Sequence, residues 1–149
     1  MRFLCLLLFF SVLAKTASPA YGAAEHVGII KSVVAVVTIE RSGVSLNAEP
    51  NLKVLEGDVI QSGSTGKAGL ILDDDTIISM GSNSRITIKK FMFQPNEKKL
   101  SLIAKIFHGT VSFLSGQIAK LSPNMVTIET PAATIGLRGT HVLVQVDRE

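Results

Sequence analysis

Short runs of alternating apolar and polar residues fill most of this chain, and turn-forming residues separate them. Ile86 and Ile88 alternate with Thr87 and Lys89, and the run Val34–Ile39 is rich in β-branched residues. Glycine, asparagine or aspartate turns recur about every eight to twelve residues, as in sandwiches and barrels. A period of two in short runs is typical of half-buried strands. The pattern predicts an all-β domain: a short-strand twisted sandwich, a small barrel or a solenoid-like coil.

The same pattern predicts individual elements. Leu100–Phe107 has the propensity for a short helix and Gln117–Leu121 for one helical turn, although neither has a good capping residue. Strands are predicted at Val34–Ile39, Ala68–Leu72, Ile77–Met80, Ile86–Phe93, Val126–Ile128 and Val142–Val146, and the alternation continues at Leu100, Leu102, Val111 and Phe113. Turns are predicted at Arg41–Gly43, Asp73–Asp75 and Gly81–Ser84.

The first residues have the composition of an export signal. Arg2 precedes an apolar run, Phe3–Ala14, and Ala20–Gly22 fits the small-residue pattern for cleavage. The run is shorter than the roughly 20 residues that a membrane-spanning helix needs. We therefore expect a signal peptide at residues 1–22, cut after Gly22 with Ala24 as the fallback, and a single periplasmic or secreted domain at 23–149 without a transmembrane segment. An uncleaved anchor is the weaker alternative.

Removal of that segment would change the charge and the redox chemistry. Arg2 and Lys15 would leave while all 12 acids stay, so the formal net charge would fall from +3 to +1. The basic character belongs largely to the leader and does not argue for a nucleic-acid partner. Cys5, the single cysteine, would leave too, so the exported chain would have no disulfide and would depend on aliphatic packing.

An arginine between two glycines stands out near the end of the chain. Gly136 and Gly139 flank Arg138 between two apolar strands, which predicts a tight backbone crossing. Arg138 would either lock the crossing through neighbouring carbonyls, the interpretation we favour, or grip a carboxylate of a partner. On either interpretation Arg138→Ala should be more harmful than Lys98→Ala.

Several pieces of sequence, in a fixed order, resemble the ferric-citrate regulator (FecR) domain family over about residues 52–146. The last piece, Gly136–Thr140, matches its G-[IL]-R-G-T signature. Two positions depart from the family: Asp74-Asp75 replaces the usual Asp-Gly turn, and His141-Val142 stands where an aromatic residue often follows. Aspartate tolerates the left-handed conformation better than most residues, so the turn should survive. The other pieces are Leu55–Gly63, Gly66–Leu70, Asp73–Thr76, Ile78–Ser84, Ile86–Phe93 and Ser115–Lys120.

The resemblance implies an exported, standalone member of the family, which is an all-β module that contacts proteins. The regulators that named the family relay a signal from an outer-membrane receptor to a sigma factor, but we expect this chain not to be an anti-sigma factor. We expect non-catalytic recognition of an envelope or surface protein, without a cofactor or an iron site. The signature or possible partner-binding positions are Gly57, Asp58, Asp73, Asp74, Asp75, Gly81, Asn83, Gly136, Arg138, Gly139, Thr140 and His141.

Metal binding is the main alternative chemistry. Asp73–Asp75 could ligate calcium, but adjacent residues of a turn do not all point at one centre, and no EF-hand spacing follows. A solvated turn is the better interpretation, and a surface module that binds glycan or calcium remains the alternative function. His26, His108 and His141 are far apart in sequence, with no cysteine between them, so no metal site is predicted. His141, beside the arginine turn, is the most plausible functional histidine.

Other motifs lack the partners that their chemistry needs. Gly63–Lys67 is similar to a phosphate-binding loop, but Ala68 occupies the Ser/Thr position, so tight turns explain it better. Neither Ser115 nor Ser82–Ser84 has a base nearby in sequence, so we expect no enzyme activity. The lysines around Phe91 and Phe93 predict a solvated hairpin with charged edges rather than a nucleic-acid site.

Overall fold

The computed structural model describes residues 25–148, and these form strands joined by short turns. The helical elements are α1 (Gln117–Leu121) and two 3-10 turns, Pro95–Glu97 and Pro123–Met125. The all-β prediction is confirmed. The strands are β1 His26–Val34, β2 Val37–Arg41, β3 Val44–Asn47, β4 Lys53–Leu55, β5 Val59–Ser62, β6 Lys67–Leu72, β7 Ile77–Met80, β8 Arg85–Gln94, β9 Lys99–Leu114, β10 Val126–Glu129, β11 Thr134–Gly136 and β12 His141–Val146.

The strands form one continuous sheet in the order β3-β2-β5-β8-β9-β7-β6-β1-β4. The long strand β9 joins the two halves, because it pairs with β8 up to His108 and with β7 from Val111 onward. The change of partner falls at Gly109, whose φ is +101°. A Cβ there would lie 2.2 Å from Ser84 Oγ, so only glycine fits this position.

The last three strands lie on the side of β9 that faces away from β7 and β8. β10 runs parallel to residues 102–105 of β9, and β11 pairs with the outer edge of β10. β12 runs antiparallel to residues 109–114 of β9, on the edge away from β7. Among residues 25–148, β9 is the one strand that pairs with β12.

A single aliphatic core lies between the two halves of the sheet. Ile30 and Leu70 come from one half, Ile60 and Ile86 from the other, and all four are completely buried in one cluster. Burial of alternate residues along β6, with Ala68, Leu70 and Leu72 inside, gives each strand one core face. The expected dependence on aliphatic packing agrees with this core, in which Phe91 and Phe113 are the aromatic members.

Two details of the predicted elements need correction. The short helix that propensity allows at Leu100–Phe107 does not form, because the segment is part of β9 and Leu102, Ala104 and Ile106 are buried at a period of two. Val34–Ile39 is not one strand, because Ala35, with φ of +52°, separates β1 from β2. The predicted helical turn at Gln117–Leu121 is confirmed as α1.

The predicted signal peptide, residues 1–22, lies outside the described residues. Of the helices between residues 25 and 148, none has the length and apolar character to cross a bilayer.

Candidate functional site

The acidic turn Asp73–Asp75 joins β6 to β7, as the sequence predicts. Asp75 has a φ of +66°, so an aspartate does occupy the left-handed position where glycine is usual in the family. Such a conformation is uncommon for a residue other than glycine, and aspartate is among the residues enriched there. The departure from the family pattern therefore leaves the turn intact.

The middle carboxylate of this turn is not solvated, contrary to the prediction. Asp74 is completely buried. Its side chain accepts hydrogen bonds from Thr76 N at 3.1 Å, Thr76 Oγ1 at 2.9 Å and Ile118 N at 3.2 Å. A buried carboxylate is stable only when its oxygens are paired in this way. Asp74 therefore ties the turn to the start of α1.

Backbone groups complete the same junction. Gly116 N donates to Thr76 Oγ1 at 3.1 Å, and Gln117 N donates to Asp74 O at 2.7 Å. A Cβ at residue 116 would lie 2.2 Å from Asp74 O, so a side chain there would force the two segments apart. The family-like pieces Asp73–Thr76 and Ser115–Lys120 thus form one unit, here called the clasp: Asp74, Thr76, Gly116, Gln117 and Ile118.

The three carboxylates of the turn point to three different partners. Asp73 pairs with His26 Nδ1 at 2.8 Å, Asp74 points into the clasp, and Asp75 accepts from Gln117 Nε2 at 2.7 Å. A calcium site needs several oxygens directed at one centre. Within residues 25–148, no three or more His, Cys, Asp or Glu side chains are grouped to hold a metal ion.

Asp58 is a second buried acid with an internal role. Its carboxylate is 2 % exposed and accepts Arg41 Nε at 2.9 Å, Arg41 Nη2 at 2.6 Å and Leu55 N at 2.9 Å. Hydrogen bonding to Asp58, with its negative charge, raises the pKa of Arg41 above its usual value despite partial burial. Arg41 Nη2 also donates to Lys53 O at 2.8 Å, so this pair joins β2, β4 and β5. The preceding Gly57 has a φ of +86°.

Gly81 and Asn83 belong to the turn between β7 and β8. Asn83 has a φ of +51°; its N–H donates to Gly63 O at 3.0 Å and its carbonyl bonds His108 Nδ1 at 2.7 Å. Gly81 N donates to Thr110 O at 2.9 Å. These bonds hold the turn against neighbouring segments.

The tight crossing predicted at Gly136–Thr140 was wrong. Neither Gly136 nor Gly139 has a positive φ, and nothing lies within 4 Å of a Cβ at either position. Ser115 holds the segment, because its N–H donates to Thr140 O at 2.8 Å and its Oγ to Gly139 O at 2.7 Å. Ser115 therefore makes the hydrogen bonds to main-chain carbonyls of this segment that were expected of Arg138.

Arg138, in the middle of the segment Gly136–Thr140, and His141, directly after it, are both exposed. Arg138 Nη2 donates to Asn124 Oδ1 at 3.3 Å, a side-chain carbonyl rather than the main-chain carbonyls expected. His141 begins β12, and its Nε2 is 2.8 Å from Ser112 Oγ. Unlike Asp58 and Asp74, these two side chains are available to a partner.

Strand β12 presents an unpaired edge. Ser115 N donates to Thr140 O directly opposite, so the antiparallel ladder from β9 places its hydrogen-bonded pairs at Thr140, Val142 and Val144. The backbone groups of the intervening residues then point away from β9. Among the described residues, no loop or side chain bonds to those groups. The outward-facing residues are His141, Leu143 and Gln145.

An open groove of about 530 Å³ lies at the C-terminal half of β12, where Val144, Gln145 and Val146 line it. Phe107 of β9 lines it together with the β10–β11 loop, β11 and the end of β12. Its apolar walls include Pro131, Ala132, Ile135, Val144 and Val146, and charged Asp147 and Arg148 stand at the chain end. The groove therefore brings apolar side chains of the β10–β11 loop and β11 next to the second half of β12.

Residues 58–149 match the model of the family described as FecR protein. The chain belongs to the FecR family. That family is associated with envelope signalling and regulation. Among curated proteins and among solved structures, no significant match to this FecR-family chain was found.

Sequence reasoning missed the partners of the buried acids and the groove. Arg41 lies 17 residues from Asp58, and Gly116 lies more than 40 residues from the acidic turn, so no local motif links them. Neither the alternation nor the helix propensity of Leu100–Phe107 indicates that Phe107 lines a groove with the end of β12. The uncharged sequence of β12 was the one signal that could have identified the edge.

Proposed function

We propose that this FecR-family chain is a non-catalytic recognition domain of the bacterial envelope, periplasmic or secreted, that binds a protein through β12 and the adjoining groove. The observation that carries the proposal is the unpaired edge of β12, whose six residues include no lysine, arginine, acid, proline or glycine. The leader-like composition of residues 1–22 supports export. The mass of the protein isolated from its cells tests this, because an exported and processed chain lacks those residues.

An unprotected edge strand is a ready site for strand addition. Main-chain groups of the edge supply affinity, and pockets for alternate side chains supply specificity. Proteins usually guard such edges with charges, prolines or very short strands. Two other terminal strands of the sheet are short in this way, since β4 and β11 have three residues each. β12 has neither protection, which favours a partner for it.

The buried signature residues support a recognition domain rather than an enzyme. The carboxylates of Asp58 and Asp74 are each bonded by internal donors and are closed to a substrate. Their hydrogen bonds stabilise the domain whose sheet includes β12. Arg138, Thr140 and His141 are exposed at the N-terminal end of β12, where they can contact whatever binds the edge.

Photo-cross-linking in the producing cells tests this proposal. A photoreactive residue replaces Gln145 on β12. The matched control replaces Val44, which is 59 % exposed on β3, a terminal strand of the sheet that does not pair with β12. We expect irradiation to join the β12 variant to a protein, and the control to give no such product. Absence of a product from β12, or the same products from both positions, would contradict the proposal.

A further inference from the structure

Strand β12 has a pattern that fits a second copy of itself. We propose that the edge of β12 pairs antiparallel with β12 of another copy of this chain, about a twofold axis beside Val144. This inference rests on the proposed use of β12 for recognition and names the partner.

The register follows from the backbone. His141, Leu143 and Gln145 direct their main-chain groups outward, and antiparallel pairing bonds such residues to one another. With the twofold axis beside Val144, Leu143 of each copy faces Gln145 of the other, and the ladder extends until His141 faces Asp147. This register keeps the exposed face of each strand on one side of the joined sheet, as the strand period of two requires.

Charge favours this register over its neighbour. His141 and Asp147 would face each other twice, once at each end of the interface, where Nδ1 of His141 can donate a hydrogen bond to the carboxylate of Asp147. Moving the axis to Leu143 would bring Arg148 to the level of Arg138, which places like charges together. His141 Nε2 bonds Ser112, and its Nδ1 has no partner among the described residues.

The exposure of an apolar side chain on β12 also favours a second copy as the partner. Leu143 is 67 % exposed, although it lies in the middle of a regular strand. In the proposed pair the two copies of Leu143 would be diagonal neighbours across the axis, within reach of each other. The groove of about 530 Å³, lined by the β10–β11 loop and by Val144, lies next to the proposed axis.

Substitutions that place new charges at positions 141 and 147 test the register. We expect wild-type chain to dimerise in sedimentation equilibrium, and His141→Glu and Asp147→Lys each to weaken the dimer about tenfold, because each changes two symmetric pairs. The double variant should regain the affinity, and an equimolar mixture of the single variants should form mixed dimers. Glu49→Lys, an exposed acid between β3 and β4, is the control and should have no effect.

Several outcomes would overturn the inference. They are a wild-type chain that stays monomeric at every accessible concentration, a double variant as weak as its single parents, and a Glu49→Lys effect equal to that of Asp147→Lys. All variants change exposed residues, and circular dichroism checks that they fold.

Cross-linking from position 145 separates this inference from the proposed function. A product with the mass of two chains supports both. A product with a different protein alone keeps strand recognition and overturns self-pairing, and no product overturns both.

Discussion

Replacement of Asp74 by alanine is the sharpest test of how the scaffold is built. The carboxylate is completely buried and accepts three hydrogen bonds, from Thr76 N, Thr76 Oγ1 and Ile118 N. Asp74→Ala removes all three acceptors at once. The Thr76 hydroxyl can rotate to another partner, but the two backbone N–H groups cannot, so two buried donors lose their bonds.

The expected loss of stability follows from those two donors. Each buried donor left without a partner costs about 1–3 kcal/mol, which gives a gross loss of about 2–6 kcal/mol. Removing a buried charge offsets part of this, because the carboxylate no longer has to be taken out of water. We therefore expect Asp74→Ala to lower the free energy of unfolding by about 2–4 kcal/mol, a large share of the 5–15 kcal/mol typical of a domain.

Urea denaturation followed by circular dichroism measures this difference. Asp73→Ala is the matched control, because Asp73 is the adjacent residue, its side chain is 44 % exposed and it makes one pair, with His26. Exposed pairs contribute roughly 0–1 kcal/mol, so the control should change little. Equal losses for the two variants, or a loss below about 1 kcal/mol for Asp74→Ala, would refute the role assigned to the clasp.

Three further predictions use the same denaturation measurement. Arg41→Ala should lower the free energy of unfolding by about 2–4 kcal/mol, because it leaves the carboxylate of Asp58 buried with one donor. Since the pKa of Arg41 is raised, its contribution would be lost only as the pH rises through that high value; a loss that changed between about pH 5 and 9 would contradict this. Gly116→Ala should lower the free energy of unfolding by about 3 kcal/mol, because the added methyl group would overlap the backbone of the acidic turn. Gly139→Ala should be nearly neutral, and a larger loss for Gly139→Ala than for Gly116→Ala would contradict the clasp. Arg138→Ala should change it by less than about 1 kcal/mol, because the side chain is exposed; a larger loss would restore its structural role.

Much of the fold could be predicted because local patterns carry it. The period-two burial of β6 and β7 and the turn at Asp73–Asp75 follow from neighbouring residues. The left-handed conformation of Asp75 was foreseeable from its place in the family turn. The path of β9 was not, because Leu100–Phe107 satisfies helix propensity while its tertiary partners β8 and β10 impose a strand.

The site was harder to predict, because its contacts are long-range. Glycine suggested a tight crossing at Gly136 and Gly139, yet the crowded glycines are Gly109 and Gly116, which meet segments distant in sequence. Nothing local distinguishes these two kinds of glycine. Similarly, the burial of Asp74 depends on α1, more than 40 residues away, so a solvated turn was the reasonable local expectation.

Hydrogen exchange at the backbone amides of β12, resolved by residue, tests the central claim most directly. In dilute chain, the amides of Val142 and Val144 should exchange slowly, because they bond to β9, while those of Leu143 and Gln145 should exchange fast. As the concentration rises, Leu143 and Gln145 should become protected. Slow exchange of these two amides in dilute chain would mean that the edge is not open. Fast exchange at every concentration would mean that no second copy binds it.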